Sequence, residues 1–186
     1  MLQKLSTLIL KLIGWTLINE IPKDIKKGVI LQAPHTSMLD FVIGRIAFWH
    51  YGVKINLLIK KEAFQTWYGG LLRAMGGIPV DRSKNTNLVD TVAKMFEERE
   101  SLFLVVTPEG TRKRVDNWKK GFYYIALKAQ APIIIGFIDY TKKIGGIGPF
   151  IYPSGDIEKD FEIIQDYLRG FTGKNKGWYN LENFDN

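Results

Sequence analysis

The order of elements in this chain follows from one stretch, VILQAPHTSMLD, residues 29–40. Its apolar start is typical of a buried strand, and Pro34 ends that strand because proline cannot continue the ladder of hydrogen bonds. From residue 37 onward apolar side chains recur at helical spacing, which predicts a helix over residues 37–52. Ser37 and Asp40 stand in capping-box spacing, with Asp in place of the usual Glu or Gln. The stretch therefore predicts a strand, a short loop and a helix.

The same alternation continues toward the C-terminus. Further strands are predicted at residues 53–59, 78–80, 102–106 and 132–138, and further helices at 67–75, 88–96, 121–130 and 157–168. The glycine-rich stretch 144–152 predicts a strand pair. Strands that are apolar throughout and alternate with helices predict an α/β fold: a single domain with a mixed sheet covered by helices on both faces.

The first 18 residues predict an N-terminal amphipathic helix, in which Lys4 and Lys11 share a face. Two arrangements fit this pattern: a helix lying on a membrane surface with Trp15 at headgroup depth, or a helix packed on the domain. The segment is too short and too interrupted to cross a bilayer, and Lys11 breaks the apolar core that a signal peptide needs. We expect the main domain to occupy residues 19–172, and a polar tail, residues 173–186, to add little to the core.

The net charge of the chain and its content of cysteine and histidine limit the ligands and reactions that are expected. The net charge of +7 and a pI near 9.5 favour anionic partners, such as nucleic acid, anionic lipid surfaces, phosphorylated substrates or acidic carrier proteins. The chain has no cysteine, which excludes disulfides, thiolate metal sites and a thiol nucleophile. Its two histidines and scattered carboxylates show no recognised ligand spacing, so we expect no metal site.

His35 is the leading candidate for a general base. A hydroxyl is a poor nucleophile near neutral pH unless a base takes its proton, and imidazole does this well when a carboxylate fixes its tautomer. Asp40, one turn into the predicted helix, is placed to reach the ring of His35. The spacing fits equally a surface histidine beside an aspartate that only caps the helix.

Two further clusters follow predicted strands. Residues 107–114, TPEGTRKR, combine a glycine turn, a hydroxyl and three cations, which suits a phosphate-binding loop and also a solvated basic loop. Residues 76–82, GGIPVDR, end in a second arginine. Asp81 and Arg82 fit either an anion site or a local surface ion pair, which contributes little energy.

Together these clusters resemble the glycerol-phosphate and lysophosphatidate acyltransferase family, whose block motifs recur here in family order. His35 to Asp40 matches the block of histidine, four residues and aspartate. Residues 77–82 match the second block, and Pro108 to Arg112 match the third, Pro-Glu-Gly-Thr-Arg, without substitution. Residues 131–134 match the fourth block. Lys60 or Lys61, of which we prefer Lys61, matches a lysine that precedes the second.

The resemblance implies that His35 is the general base and that Asp40 orients it. It also implies that the phosphoglycerol head of a lysophosphatidate-like acceptor is bound by Lys61, Arg82, Glu109 and Arg112, with Gly110 and Thr111 shaping the loop. The implied donor is a thioester, acyl-CoA or an acidic acyl carrier protein, attacked directly by the acceptor hydroxyl without a cofactor. The implied location is the cytoplasmic face of a membrane, with monotopic or peripheral attachment.

Two alternatives remain open at the level of sequence. One is an acceptor without phosphate, since relatives of this type also acylate lyso-aminolipids. A non-catalytic module binding anionic lipid or nucleic acid would use the positive charge but would not need the His35–Asp40 pair. No nucleic-acid recognition motif is visible, so we expect no nucleic-acid partner.

Overall fold

The computed structural model describes residues 2–81 and 85–182, with the backbone alone for residues 85–87. Within these residues the chain forms seven strands: β1 (Thr16–Ile18), β2 (Lys27–Ala33), β3 (Ile55–Lys60), β4 (Gly77–Val80), β5 (Leu102–Val106), β6 (Ile133–Asp139) and β7 (Ile144–Ile151). The helices are α1 (Leu2–Leu12), α2 (Met38–Tyr51), α3 (Gly69–Ala74), α4 (Asn85–Glu98), α5 (Gly121–Lys128) and α6 (Ile157–Leu168), and a short 3-10 helix spans Lys61–Gln65.

All seven strands belong to one mixed sheet, in the order β1-β7-β6-β2-β5-β3-β4. Strands β6, β2, β5, β3 and β4 run parallel, while β7 is antiparallel to β6 and β1 is parallel to β7. The central strand β2 places Val29 between Leu104 of β5 and Ile133 of β6. These three side chains are fully buried, as expected for a strand covered on both faces. The predicted α/β fold is confirmed.

Successive residues of each strand point to opposite faces, and each face has its own helices. Leu31 packs into a core with Phe96 of α4, Ile125 of α5 and Ile164 of α6. The adjacent residue Ile30 packs into a second core that includes Phe48 of α2. Helix α1 packs against α2 on that second face. The sheet is thus covered on both sides.

The connections that follow the neighbouring strands β2 and β5 lie on opposite faces of the sheet. The chain leaves β2 into α2 on one face, and it leaves β5 into α5 on the other. In open α/β sheets such a reversal opens a crevice at the carboxyl ends of the strands, where ligands bind. The loop that carries His35 follows β2, and the loop that begins at Thr107 follows β5. The order of the strands alone therefore brings the loop that carries His35 next to the loop that begins at Thr107.

Three expectations were wrong in detail. The N-terminal helix ends at Leu12 rather than residue 18, because Gly14 adopts φ = +76° and the chain turns into β1. Trp15 is buried edge-to-face against the ring of Tyr140, with 5.1 Å between ring centroids, and does not lie on the surface. Residues 144–151 form one strand rather than a strand pair.

The C-terminal segment contributes more to the core than its polar composition predicted. Tyr179 is fully buried, and its ring stacks on Trp118 at a centroid distance of 6.4 Å. The indole N–H of Trp118 donates to Asn180 Oδ1 at 3.0 Å. Described residues after Gly173 therefore cover the loop that follows β5.

Candidate active site

Helix α2 begins with the predicted cap. The Ser37 hydroxyl oxygen accepts the Leu39 N–H at 3.2 Å, and Asp40 Oδ2 accepts the Ser37 N–H at 2.8 Å. Both reciprocal bonds of a capping box are therefore present. At the other end Gly52 adopts φ = +70°, and its N–H bonds to helix carbonyls. The cap fixes Asp40 one turn into the helix, below the loop that carries His35.

The Asp40 carboxylate makes contacts beyond the cap. Its Oδ2 atom also accepts the Thr36 N–H at 2.7 Å and lies 3.2 Å from His35 Nδ1. Its Oδ1 atom accepts the Tyr140 hydroxyl at 2.7 Å. Asp40 is 3% exposed, so these contacts replace nearly all of its hydration. The capping role and the contact with His35 are therefore compatible, and one carboxylate serves both.

This geometry defines what the His35 ring can do. An ionised carboxylate only accepts hydrogen bonds, so contact with Asp40 requires the proton on Nδ1. In the neutral imidazole the other ring nitrogen, Nε2, then carries no proton. His35 lines a cavity, and a hydroxyl placed beside Nε2 there would have an acceptor for its proton.

Glu109 holds the same loop from the side of β5. Its Oε1 atom accepts the His35 main-chain N–H at 3.0 Å, and the residue is 4% exposed. Its Oε2 atom is buried and has no hydrogen-bond partner among the described residues. Burial raises the pKa of the Glu109 carboxyl to about 7, and the negative charge of Asp40 adds to this effect while nearby hydrogen bonds oppose it. Glu109 thus supports the His35 backbone.

We expect Glu109→Gln to make the free energy of unfolding less dependent on pH. Between about pH 4.5 and 7 folded Glu109 keeps a proton that the unfolded chain has lost, so raising the pH favours unfolding. A shift of this size corresponds to roughly 3 kcal/mol in the free energy of unfolding. Denaturant unfolding at pH 5 and pH 8 measures the effect. Between these two pH values the free energy of unfolding should fall less in the Gln variant than in wild type. Glu97→Gln, which changes an exposed carboxylate on α4, should behave as wild type; equal losses in all three proteins would contradict the prediction.

The cavity beside His35 has a volume of about 650 Å³. It lies at the carboxyl edge of the sheet, where the connections of β2 and β5 diverge. Most of its walls are apolar, and α2, β3, α4, β5 and α5 all contribute: Phe41, Phe48, Ile55, Leu57, Leu58, Leu88, Val89, Val105, Val106, Phe122 and Ile125. Gly44 of α2 also lines it, and a Cβ there would meet no atom within 4 Å. The site therefore combines a histidine–aspartate pair with an apolar chamber.

The structure brings some of the expected residues to this cavity and leaves others apart. His35, Asp40 and Gly110 line it. Among the residues that the structure describes, Lys61, Glu109, Thr111 and Arg112 are not part of its lining. Lys61 is exposed at the start of the 3-10 helix, Arg112 is exposed, and the Thr111 hydroxyl accepts the Lys113 N–H within its own loop. Arg82 lies outside the described residues.

Two cations that were not expected at the site line the cavity. Arg45 of α2 is half-buried, and its guanidinium lies 5.5 Å from the centre of the Trp49 ring. Lys119 lies across Gly110, where a Cβ would be 2.6 Å from the lysine nitrogen. Gly110 has φ = +64°, so a side chain there would be strained even if the flexible end of Lys119 moved aside. Arg45 lies four residues after Phe41, which also lines the cavity, so helical spacing was a signal for Arg45, whereas no spacing rule connected Lys119 with His35.

Comparison with known proteins gives a consistent result. The sequence model of the Acyltransferase family matches residues 14–135. The human protein 1-acyl-sn-glycerol-3-phosphate acyltransferase beta is 30% identical over 113 residues, which are 56% of this chain and 39% of the human one. The Cocos nucifera 1-acyl-sn-glycerol-3-phosphate acyltransferase is 28% identical over 108 residues, 54% of this chain and 33% of the plant one. The chain thus matches well under half the length of each relative.

The fold also has a counterpart among solved structures. The crystal structure of the 1-acyl-sn-glycerophosphate (LPA) acyltransferase PlsC from Thermotoga maritima superimposes with a TM-score of 0.64. The match covers 91% of this chain and 76% of that chain at 18% sequence identity. At this identity the likeness establishes the fold.

Proposed function

Since the chain belongs to the Acyltransferase family, we propose that it transfers a fatty acyl group from a thioester to the free hydroxyl of a lysophosphatidate-like lysolipid. One observation carries this proposal: the His35–Asp40 pair, with Nδ1 and Oδ2 3.2 Å apart, stands on the wall of an apolar cavity of about 650 Å³. A base serves to activate a hydroxyl, and an apolar chamber serves to hold a hydrocarbon chain.

The reaction we propose is a direct transfer. His35 Nε2 takes the proton of the acceptor hydroxyl as the oxygen attacks the thioester carbonyl, and Asp40 stabilises the imidazolium that forms. The tetrahedral intermediate collapses, the carbon–sulfur bond breaks, and the thiolate takes the proton back from His35. The products are the ester and a free thiol, so protons and electrons balance. The chain has no cysteine that could carry the acyl group as a protein thioester.

We assign the acyl chain to the apolar part of the cavity. Side chains from both faces of the sheet line it, among them Leu57 and Val105 of the sheet and Phe122 of α5. The absence of a side chain at Gly44 widens the chamber along α2. Removing a long acyl chain from water at such a surface favours binding by about 0.8 kcal/mol per buried CH₂ group.

We assign the anionic part of the ligands to the cations around the cavity mouth. Lys119 and Arg45 line the cavity itself. Lys61 and Arg112 follow strands whose carboxyl ends share this edge of the sheet, as Arg82 does in sequence. We propose that this group binds the acceptor phosphate, and that acyl-CoA or an acidic acyl carrier protein approaches the exposed cations of residues 112–120.

We further propose that the protein acts at a membrane surface, on the cytoplasmic side where such thioesters are made. No helix among the described residues is long and apolar enough to cross a membrane. Helix α1 buries Ser6 and Leu10 and exposes an apolar stripe: Leu2, Leu5, Leu8 and Leu12. Met38, Leu39 and Val42 of the adjoining helix α2 are exposed as well. Contact of this surface with lipid would place the cavity beside the layer that holds the acceptor.

A transfer assay tests the function. Labelled acyl-CoA and acyl carrier protein are offered with vesicles containing either lysophosphatidate or a phosphate-free lyso-aminolipid, and the acylated product is quantified. We expect acylation of lysophosphatidate. Acylation of the phosphate-free acceptor alone would establish the alternative acceptor, and absence of product from every combination would contradict the proposed function.

Lys119→Met is expected to raise KM for lysophosphatidate by about tenfold, because one charge-assisted hydrogen bond to the phosphate is lost. With a phosphate-free acceptor the same variant should behave as wild type. Lys54→Met is the control, because Lys54 is an exposed lysine between α2 and β3 that is not among the described cavity residues. Initial rates over a range of acceptor concentrations give kcat and KM. Equal effects of the two substitutions, or of Lys119→Met on both acceptors, would remove Lys119 from the phosphate site.

A further inference from the structure

Tyr140 holds the oxygen of Asp40 that does not face His35. It follows β6 directly, and its hydroxyl donates to Asp40 Oδ1 at 2.7 Å. Burial raises the pKa of the Tyr140 hydroxyl well above its usual range, and the bond to Asp40 raises it further. The phenol is therefore a neutral hydrogen-bond donor near neutral pH.

Tyr140 is itself fixed by its surroundings. The buried ring of Trp15 meets it edge-on, with 5.1 Å between centroids. The Tyr140 N–H donates to the Thr172 carbonyl at 2.9 Å, and the Lys174 ammonium lies 5.7 Å from the centre of its ring. The hydroxyl thus reaches Asp40 from an anchored side chain.

Asn175 holds the loop between His35 and Asp40. Its main-chain N–H donates to the Thr36 hydroxyl at 3.1 Å, and its side-chain amide donates to the Thr36 carbonyl at 2.7 Å. Gly173 lies so close that a Cβ there would be 2.6 Å from the Thr36 methyl carbon. Thr36 is 1% exposed, so the loop is enclosed by the C-terminal segment on this side.

We propose that Tyr140 and Asn175 are positioning residues, which fix the His35–Asp40 pair from a part of the chain beyond residues 14–135. Tyr140 orients the Asp40 carboxylate, and Asn175 fixes the backbone that carries His35. This proposal rests on the role proposed above for His35 as the base. Neither residue is among those described as lining the cavity, so both act through the pair rather than on the substrate.

The expected effect is therefore on turnover rather than on binding. Without the Tyr140 hydroxyl, Oδ1 of a buried carboxylate loses its donor. The carboxylate is then held through Oδ2 alone, by the Thr36 and Ser37 N–H groups, and its plane can rotate relative to His35 Nδ1. Without the Asn175 amide, the Thr36 carbonyl loses its partner, and the loop can move by the fraction of an ångström that proton transfer is sensitive to. Substrate contacts in the cavity are unchanged.

Kinetics with near-isosteric variants measure this effect. Tyr140→Phe removes one oxygen, and Asn175→Asp removes the side-chain N–H donor while keeping the size. Each is expected to lower kcat by about tenfold while KM stays within about twofold. Tyr152→Phe and Asn117→Asp, at exposed positions, should leave both constants unchanged. A kcat within twofold of wild type in both test variants, or a change confined to KM, would overturn the proposal.

A spectroscopic measurement separates this proposal from the proposed function. The chain has two histidines, so ¹⁵N-histidine labelling reports on His35 and on an internal reference, His50. His50 Nδ1 contacts Thr7 Oγ1 at 2.7 Å, far along α2 from Asp40. At about pH 8.5, where imidazole is neutral, His35 of wild type should be in the Nδ1–H tautomer.

In Tyr140→Phe and in Asn175→Asp the His35 signals should shift toward a mixture of tautomers, while those of His50 stay unchanged. This result would support the positioning role even if no acyl transfer were detected, because the measurement needs no substrate. An unchanged His35 tautomer in both variants would overturn the positioning role, whatever the enzymatic activity. Equal shifts at both histidines would also overturn it, since they would reflect a general change in structure.

Discussion

His35→Ala is expected to lower kcat by about a thousandfold and to leave KM within a few-fold of wild type. General-base catalysis contributes on the order of 10²–10⁴-fold, and this ring is the base in the proposed reaction. The substitution removes atoms from the cavity wall without changing its apolar part, so both substrates should still bind. Initial rates of acyl transfer under saturating donor measure the effect.

The control for this substitution is His50→Ala, at the other end of α2. His50 lies outside the described lining of the cavity, so its removal should leave kcat unchanged. Circular dichroism and thermal unfolding establish that both variants are folded. Turnover in folded His35→Ala within threefold of wild type would rule out His35 as the base and would require another route for the proton.

Asp40→Asn and Asp40→Ala are expected to differ in stability while both lose activity. The Asn carbonyl oxygen can still accept the Thr36 and Ser37 N–H groups, and its amide can donate to the Tyr140 hydroxyl oxygen, so the free energy of unfolding should fall by roughly 1 kcal/mol. Alanine leaves two main-chain donors and the Tyr140 hydroxyl without an acceptor, at a cost of roughly 3–5 kcal/mol. In both variants kcat should fall by about a hundred- to a thousandfold, because no charge stabilises the His35 imidazolium.

Denaturant unfolding and transfer kinetics on the same preparations provide the comparison. Asp90→Asn serves as the matched control, because it changes an exposed carboxylate paired with Lys128 on the surface. It should change neither the free energy of unfolding nor kcat appreciably. If Asp40→Asn retained most of its turnover, the carboxylate would be a helix cap without a role in catalysis. If Asp40→Ala were as stable as Asp40→Asn, the capping bonds would contribute little.

Elements specified by local patterns could be predicted from the sequence. The helix over residues 157–168 agrees with α6, and the spacing of Ser37 and Asp40 gave the start of α2 with its cap. The stretch 144–152 was misread because its glycines resemble turn residues. In β7 they allow close approach of neighbouring backbone: a Cβ at Gly146 would lie 2.1 Å from the Ile18 carbonyl oxygen. Only the pairing of β1 with β7 reveals that requirement.

The site was predictable where its parts are close in sequence. His35 and Asp40 are five residues apart, within the reach of one helical turn, so their contact follows from local geometry. Tyr140 is 100 residues from Asp40, and no spacing rule connects them. The order of the strands does so, because β6 is parallel to β2 and ends at the same edge. The burial of Tyr179 likewise depends on Trp118, which is distant in sequence. The polar composition of the C-terminal segment gave no signal that Tyr179 would be buried.

The contact between Thr36 and Asn175 joins positions 139 residues apart. Chains are synthesised at about 5–20 residues per second, so Thr36 is made about 7–28 s before its partner. During that interval the loop has no Asn175 to hold it, and Asp40 lacks the Tyr140 hydroxyl for most of the same time. A nascent chain that ends before residue 175 therefore lacks these contacts to the His35–Asp40 pair. On the proposed mechanism, the capacity to activate a hydroxyl would arise only after residue 175 has been synthesised and packed.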